Sequence, residues 1–217
     1  QMTSFGYFLG QEFGILNLDF GLRLDQITRD GTYNTTAHDI SETDLSTALT
    51  LGWNLDDNLG LNLGISSVAR APSELELFMN GKHLVAARVE RGNVNLESER
   101  SNNIDFSLNY ENDGYFLNAS VYSNSVDSYI YLLDSGTKLD KLPVTNFTQA
   151  DADFNGYEIE VGRSFVLDNG ELTISYGRDE VVGTFANGGN VPRITPIKNI
   201  YNVVSVSYTH LRAHETK

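Results

Sequence analysis

Leu16-Asn17-Leu18-Asp19-Phe20-Gly21-Leu22-Arg23-Leu24-Asp25 alternates without a break: the even positions are apolar and every residue between them is polar or glycine. Successive side chains on a strand point to opposite faces, so this segment reads as a strand with one apolar and one polar face. A helix would instead gather its apolar residues at spacings of three and four. The reading extends outward from there. Ile104, Phe106, Leu108 and Tyr110 alternate with Asn103, Asp105, Ser107, Asn109 and Glu111. Leu49, Leu51, Trp53 and Leu55 do the same, as do Leu59, Leu61, Leu63 and Ile65, and later Leu172, Ile174 and Tyr176. The one departure is residues 73–79, which have the makings of a single helical turn.

Composition narrows the function. At 217 residues the chain is one domain or part of a larger one. It has no cysteine, which removes disulfides and thiolate metal sites. A net charge of −14 leaves no basic surface to neutralise phosphates, so nucleic acid is not a partner. With 40% hydrophobic residues the chain is not a disordered acidic tail. Its longest apolar run, residues 129–133, is far short of the ~20 residues a membrane helix needs, so any span must be made of strands. The first residues show no cationic, apolar leader, and no signal peptide is expected there. There is no Gly-x-Ser-x-Gly elbow, no persuasive Ser-His-Asp set and no phosphate-cradling loop, so an enzyme is not expected, nor a bound cofactor.

A two-faced strand suits either a soluble sandwich, which buries the apolar face between sheets, or a membrane barrel, which turns it to lipid. The connections separate the two. Short turns are expected near residues 10–14, 56–58, 112–114 and 168–170, the last containing the hairpin pair Asn169-Gly170. Between them lie long polar stretches at about 28–44, 70–99, 134–152 and 185–196. In an up-and-down meander every second connection lies at the same end, so one end carries only tight turns and the other only long loops. Outer-membrane barrels have that asymmetry. The fold class is therefore all-β, an antiparallel up-and-down transmembrane β-barrel. Its strands are long enough for the ~9–11 residues of a tilted span. The count comes to about nine strands. An odd, open set would leave unpaired backbone in lipid, so the chain is expected to be a fragment of a larger closed barrel.

Specific motifs sit on this framework. Ala69-Arg70-Ala71-Pro72-Ser73-Glu74-Leu75-Glu76-Leu77-Phe78 is similar to the Arg-Ala-Pro…Glu-Leu segment of TonB-dependent outer-membrane receptors. Glu90-Arg91-Gly92-Asn93-Val94-Asn95-Leu96-Glu97-Ser98-Glu99 resembles the same family's Gly-Asn-Pro-x-Leu-x-x-Glu pattern, with Val94 where proline is usual. Pro192-Arg193-Ile194-Thr195-Pro196 looks like its Pro-Arg-x-x-Pro entry into a late strand. The resemblance covers about residues 3–205 and takes its strength from the order of the motifs. It implies a plugged barrel of about 22 strands in the outer membrane of a Gram-negative bacterium, in contact with outer-membrane lipid. It also implies transport driven by the TonB–ExbB–ExbD complex through a plug domain. Residues 1–205 are then a partial receptor barrel. Residues 206–217, Val206-Ser207-Tyr208-Thr209-His210-Leu211-Arg212-Ala213-His214-Glu215-Thr216-Lys217, look like translated sequencing-adapter DNA and are set aside as non-native.

A finer likeness is to the family's zinc-uptake branch, carried by Asn80-Gly81-Lys82-His83-Leu84, by Tyr129-Ile130-Tyr131, by Leu142-Pro143-Val144 and by Gln149-Ala150-Asp151-Ala152-Asp153-Phe154-Asn155-Gly156-Tyr157-Glu158. It implies Zn(II) as cargo, with a ferric siderophore complex of the same family as the alternative cargo; a passive outer-membrane porin is the alternative from another class. His83 is the candidate metal ligand, since imidazole suits Zn(II), and Glu74, Glu76 and Glu90 are its candidate helpers. His38-Asp39 reads as a solvated loop pair. Residues 151–156 mimic the start of a calcium loop, but its twelfth position is Gly162 rather than glutamate, so no EF-hand is expected. Tyr7, Phe8, Tyr110, Tyr115, Phe116, Tyr129, Tyr131, Tyr157 and Tyr176 fall toward strand ends and suit interfacial girdles. Asp39, Glu42, Asp44, Glu74, Glu76, Asp134, Asp140 and Asp179 would make a negative mouth that attracts cations.

Overall fold

The computed structural model describes residues 1–192, 194 and 197–207. The strands are β1 (Met2–Phe13), β2 (Leu16–Tyr33), β3 (Thr36–Asn54), β4 (Leu59–Arg70), β5 (Asn80–His83), β6 (Arg88–Arg91), β7 (Glu99–Asn112), β8 (Tyr115–Leu139), β9 (Leu142–Leu167), β10 (Gly170–Phe185) and β11 (Ile197–Ser207). One short helix, α1 (Glu74–Phe78), sits where a helical turn is expected. The strands form a single sheet in the order β1-β2-β3-β4-β7-β8-β9-β10-β11, with β5 and β6 as an excursion off that path. Every neighbouring pair on the path is antiparallel and adjacent in sequence apart from that excursion. This is the expected up-and-down meander, and β1 and β11 form its two edges.

The four expected tight turns lie at one end. Phe13 pairs with Leu16, Asn112 with Tyr115 and Leu167 with Gly170, while β3 and β4 join through Leu55-Asp56-Asp57-Asn58. At Asp113-Gly114 both φ angles are positive, at 50° and 75°, the twist that matches a two-residue hairpin. The other end corrects the expectation of long loops. Residues 28–44 and 134–152 are almost wholly strand: β2 and β3 stay paired to Tyr33↔Thr36, and β8 and β9 to Leu139↔Leu142. Asn34-Thr35 and Asp140-Lys141 close these hairpins with positive φ at both residues. Alternation fades there because neither face meets lipid, while backbone pairing continues whatever the side chains. Of the other two long stretches, 70–99 carries the excursion, and residues 186–192 turn back so that Asn190 bridges to Thr184.

Register gathers the apolar residues on one face. Leu18, Leu51, Leu63, Phe106 and Val121 are successive partners across β2, β3, β4, β7 and β8; Phe20, Leu49, Ile65 and Ile104 make the next row. No second layer covers them among the described residues: Ile65 and Ile104, directly opposite each other, are 48% and 51% exposed. That is the arrangement of a lipid-facing wall, and a sandwich core would have buried them. Phe13, Tyr110 and Tyr115 flank the tight turns on this face. On β10 the apolar run Leu172, Ile174, Tyr176 ends at Arg178 and Glu180, which meet through the Tyr157 hydroxyl (Arg178 Nε donates at 2.9 Å, and the hydroxyl donates to Glu180 at 3.1 Å). The opposite face is polar and small. Gly156 and Gly162 leave room there for the Tyr122 and Phe116 rings, so Phe116 is not a girdle residue. A bulge at Ser128, where φ is 57°, shifts the β8–β9 register.

The buried apolar residues lie at the other end. Leu77, Leu96, Ile130 and Phe147 form a cluster with Ile40, Phe78 and Leu132 against it. The only such cluster among the described residues therefore sits beyond the apolar band, where the excursion between β4 and β7 packs onto the two long hairpins.

Candidate ligand-facing end of the sheet

The excursion begins at Arg70 and is locked at once. Ser73 caps α1 by accepting from the Glu76 amide, and the Glu76 carboxylate accepts from the Ser73 amide at 2.7 Å, a reciprocal capping box. The Arg70 guanidinium grips the Glu76 carboxylate with two nitrogens, at 2.9 and 3.1 Å, and gives its Nε to Glu99 on β7. Glu99 also accepts from the Ile130 amide of β8. Hydrogen bonding to Glu99, with Glu76 in support, holds the Arg70 guanidinium above its ordinary pKa against the opposing pull of burial. Burial pushes the Glu76 carboxyl up, but Arg70 and Ser73 outweigh it and leave it below the ordinary carboxylate value. Leu77 then points into the apolar cluster, and Phe78 covers Gly31 of β2 and stacks on His38, with ring centroids 6.5 Å apart.

Next comes the β5–β6 hairpin. β6 joins the free edge of β9 in parallel, Val89 opposite Val144 and Arg91 opposite Asn146, and the Thr145 hydroxyl donates to the Val89 carbonyl at 3.2 Å. Lys82 reaches Asp140 at 2.7 Å. Glu90 is 1% exposed and accepts from Arg88 Nε at 2.6 Å and from His83 Nδ1 at 3.0 Å. Burial raises the Glu90 carboxyl, but these two donors more than offset it and the net shift is downward. Residues 92–98 return as a strap. Gln149 of β9 holds Glu97 through both its amide and its carbonyl, at 3.0 and 2.7 Å. The Ser98 hydroxyl lies against Glu42 and Asp44 of β3.

The structure thus brings His83 and Glu90 together and puts Glu74 and Glu76 on α1, with Glu76 committed to Arg70. Among the described residues no group of three or more His, Asp and Glu side chains is placed to hold a metal ion. His38 is pinned by Phe78 rather than free in a loop. Residues 151–156 lie inside β9, and Asp151 accepts from the bulged Ser128 amide at 3.0 Å. Tyr129 and Tyr131 are not girdle residues: they cluster with Phe154 and Phe185 at centroid distances of 5.3 and 4.6 Å, and Phe154 lies against Gly183, on the face opposite the Leu172–Tyr176 run. The latches Arg70, Glu99, Gln149 and Ser98 have no alternation to betray them and stand only inside the motif stretches of the sequence. Part of the Pro-Arg-x-x-Pro motif, and residues 208–217 of the set-aside tail, lie outside the described residues; Val206 pairs with Glu171 in β11.

Solved structures share this fold. A copper transporter, OprC, superposes with a TM-score of 0.75 at 20% identity, covering 93% of this chain and 32% of that one. The FrpB iron transporter from Neisseria meningitidis gives 0.57 at 15% identity, covering 85% and 26%. The hemophore receptor HasR of Serratia marcescens, solved with its hemophore and heme, gives 0.65 at 16% identity, covering 84% and 34%. The chain therefore spans between about a quarter and a third of the length of these neighbours. The model of the TonB dependent receptor-like β-barrel matches residues 1–213. With a lipid-facing meander and a built excursion beyond its apolar band, this chain belongs to the TonB-dependent receptor family of Gram-negative outer-membrane β-barrels.

Proposed function

We propose that the chain forms part of the wall of an outer-membrane receptor that imports a metal ion or metal complex, with energy delivered from TonB–ExbB–ExbD through a plug domain. Zn(II) is the first cargo. The supporting observation is the His83–Glu90 pair. A histidine that binds metal through one ring nitrogen commonly gives the other N–H to a carboxylate, which fixes its tautomer and orientation. Here the buried Glu90 takes Nδ1, which leaves Nε2 as the ligand atom on a ring 43% exposed. Glu90 is then an orienting partner. Glu74 and Glu76 are weaker helpers, and Glu76 would have to leave Arg70 to bind. The further ligands would come from outside these residues.

In the full receptor, His83→Ala should weaken Zn(II) binding and slow growth under zinc limitation. If both stay unchanged, the zinc reading falls and the family assignment stands. One observation favours a ferric siderophore instead: the aromatic cluster of Tyr129, Tyr131, Phe154 and Phe185 suits a planar organic chelate better than a bare ion. In that case Tyr131→Ala, and not His83→Ala, would reduce uptake. Uptake that persists after the proton gradient is collapsed would mark a passive porin.

A further inference from the structure

The Ser98 hydroxyl touches two carboxylates at once, Glu42 Oε2 at 2.9 Å and Asp44 Oδ2 at 2.8 Å. A hydroxyl has one proton to donate. If both acids were ionised, one of these contacts would set two oxygen lone pairs against each other. Asp44 is only 6% exposed, so water does not relieve it. Nor does a cation: neither acid forms a salt bridge among the described residues, whereas Asp25, which faces Asp44 across β2, has Arg23 at 2.8 Å. The other charges around the pair are Arg29 on β2, which attracts Glu42, and Glu97 on the strap, which repels it; Arg100 of β7 is spent on the Leu45 carbonyl and Ser67.

We propose that Glu42 and Asp44 hold one proton between them through Ser98, and that this shared proton clamps the strap, residues 92–98, onto β3. In the clamped state one carboxylic acid donates its O–H to Ser98 Oγ, and the Ser98 O–H donates to the other, ionised carboxylate. On release the proton passes to water, both acids become anionic and the Ser98 contact to one of them is lost. The strap is the piece that bridges the two long hairpins, because Gln149 of β9 holds its other side through Glu97. Proton loss therefore frees one anchor of the wall at the ligand-facing end. Burial, and the charges of Asp44 and Glu97, keep the Glu42 carboxyl above its ordinary value, although the Ser98 contact and Arg29 pull the other way. The sign follows: a group with a raised folded value stabilises the clamp at low pH, and that contribution is lost as pH rises through the raised value.

The test uses the membrane-embedded receptor. Infrared spectroscopy should show, at pH values below the titration of the pair, a carboxylic-acid carbonyl band that persists to higher pH than the other carboxyls and is missing in both Glu42→Gln and Asp44→Asn. Hydrogen exchange of residues 92–98, corrected for intrinsic rates, should accelerate by up to about tenfold per pH unit through the titration in the wild type. It should stay slow in either amide variant, each of which mimics the protonated pair, and either one suffices if the other misfolds. The proposal is overturned if the variants lose no band, or if strap exchange has the same pH response in all three proteins. It is equally overturned if added Ca²⁺ removes the band and protects the strap at high pH, since a cation would then occupy the place of the proton.

Discussion

Leu77→Ala should open the excursion while leaving the membrane-spanning wall intact. Leu77 is fully buried, and its neighbours Leu96, Ile130 and Phe147 come from the strap and the β8–β9 hairpin, so the cavity cannot easily collapse. Removing a buried leucine side chain costs about 2–5 kcal/mol, the larger values where the surroundings cannot close in. At ~3 kcal/mol the population of locally opened molecules rises roughly 150-fold. Lys82, Arg88 and Arg91 lie on or beside the β5–β6 hairpin and give trypsin its sites. When opening is fast relative to cleavage, the rate of nicking follows that population. Trypsin should therefore cut the variant about two orders of magnitude faster, while the thermal transition of the barrel itself barely moves. Leu84→Ala is the control: Leu84 is 76% exposed and its loss should change nothing. Equal cleavage of Leu77→Ala and wild type would refute the claim that the excursion carries its own core. A collapse of the whole barrel would refute its independence from the wall.

Arg70→Gln should leave Glu76 and Glu99 without their cation; because the guanidinium is half exposed, the cost is about 1–2 kcal/mol rather than that of a fully buried pair, and a double-mutant cycle with Glu99→Gln should show coupling between the two residues. Gly92→Ala puts a methyl 2.5 Å from the Leu77 carbonyl oxygen and should cost roughly 1–3 kcal/mol in the same protease assay, whereas Gly81→Ala meets nothing and should be near neutral. The lowered Glu90 carboxyl makes the β5–β6 hairpin acid-sensitive. Its stabilisation is complete above the ordinary carboxylate value and fades as pH falls through the lower folded value, so hydrogen exchange of residues 88–91 should accelerate on acidification in wild type and be less pH-dependent in Glu90→Gln.

The wall was legible because lipid imposes a strict rule: each strand must show one apolar face, and a two-residue period records it. Leu16 to Leu24 and Ile104 to Tyr110 keep that period, and both lie on the exposed face. The turns were legible for a similar reason, since Asp113-Gly114 supplies the residues a tight hairpin wants; the last turn fell one residue early, with Asp168-Asn169 as its loop and Gly170 already paired with Leu167. Beyond the band the rule lapses. β2, β3, β8 and β9 run on as paired strands through sequence that is polar on both faces, and such sequence looks like loop. The excursion was legible only in part. Ser73 and Glu76 show the capping-box spacing, so a helical turn could be placed at residues 73–79. The partners of Arg70, Glu90, Gln149 and Ser98 are long-range or set by the hairpin's curl, and a linear pattern holds no trace of them.

The central claim is that the apolar face of this sheet meets hydrocarbon and the other face does not. Since the chain has no cysteine, single cysteines can be placed along β4 in the bilayer-embedded receptor and spin-labelled one at a time. Labels at Leu61, Leu63 and Ile65 should be relaxed by oxygen dissolved in the lipid and ignored by an aqueous nickel chelate, with the opposite or a shielded response at Asn62, Gly64 and Ser66. A flat profile along the strand, or oxygen contact on the Asn62 side, would contradict the account.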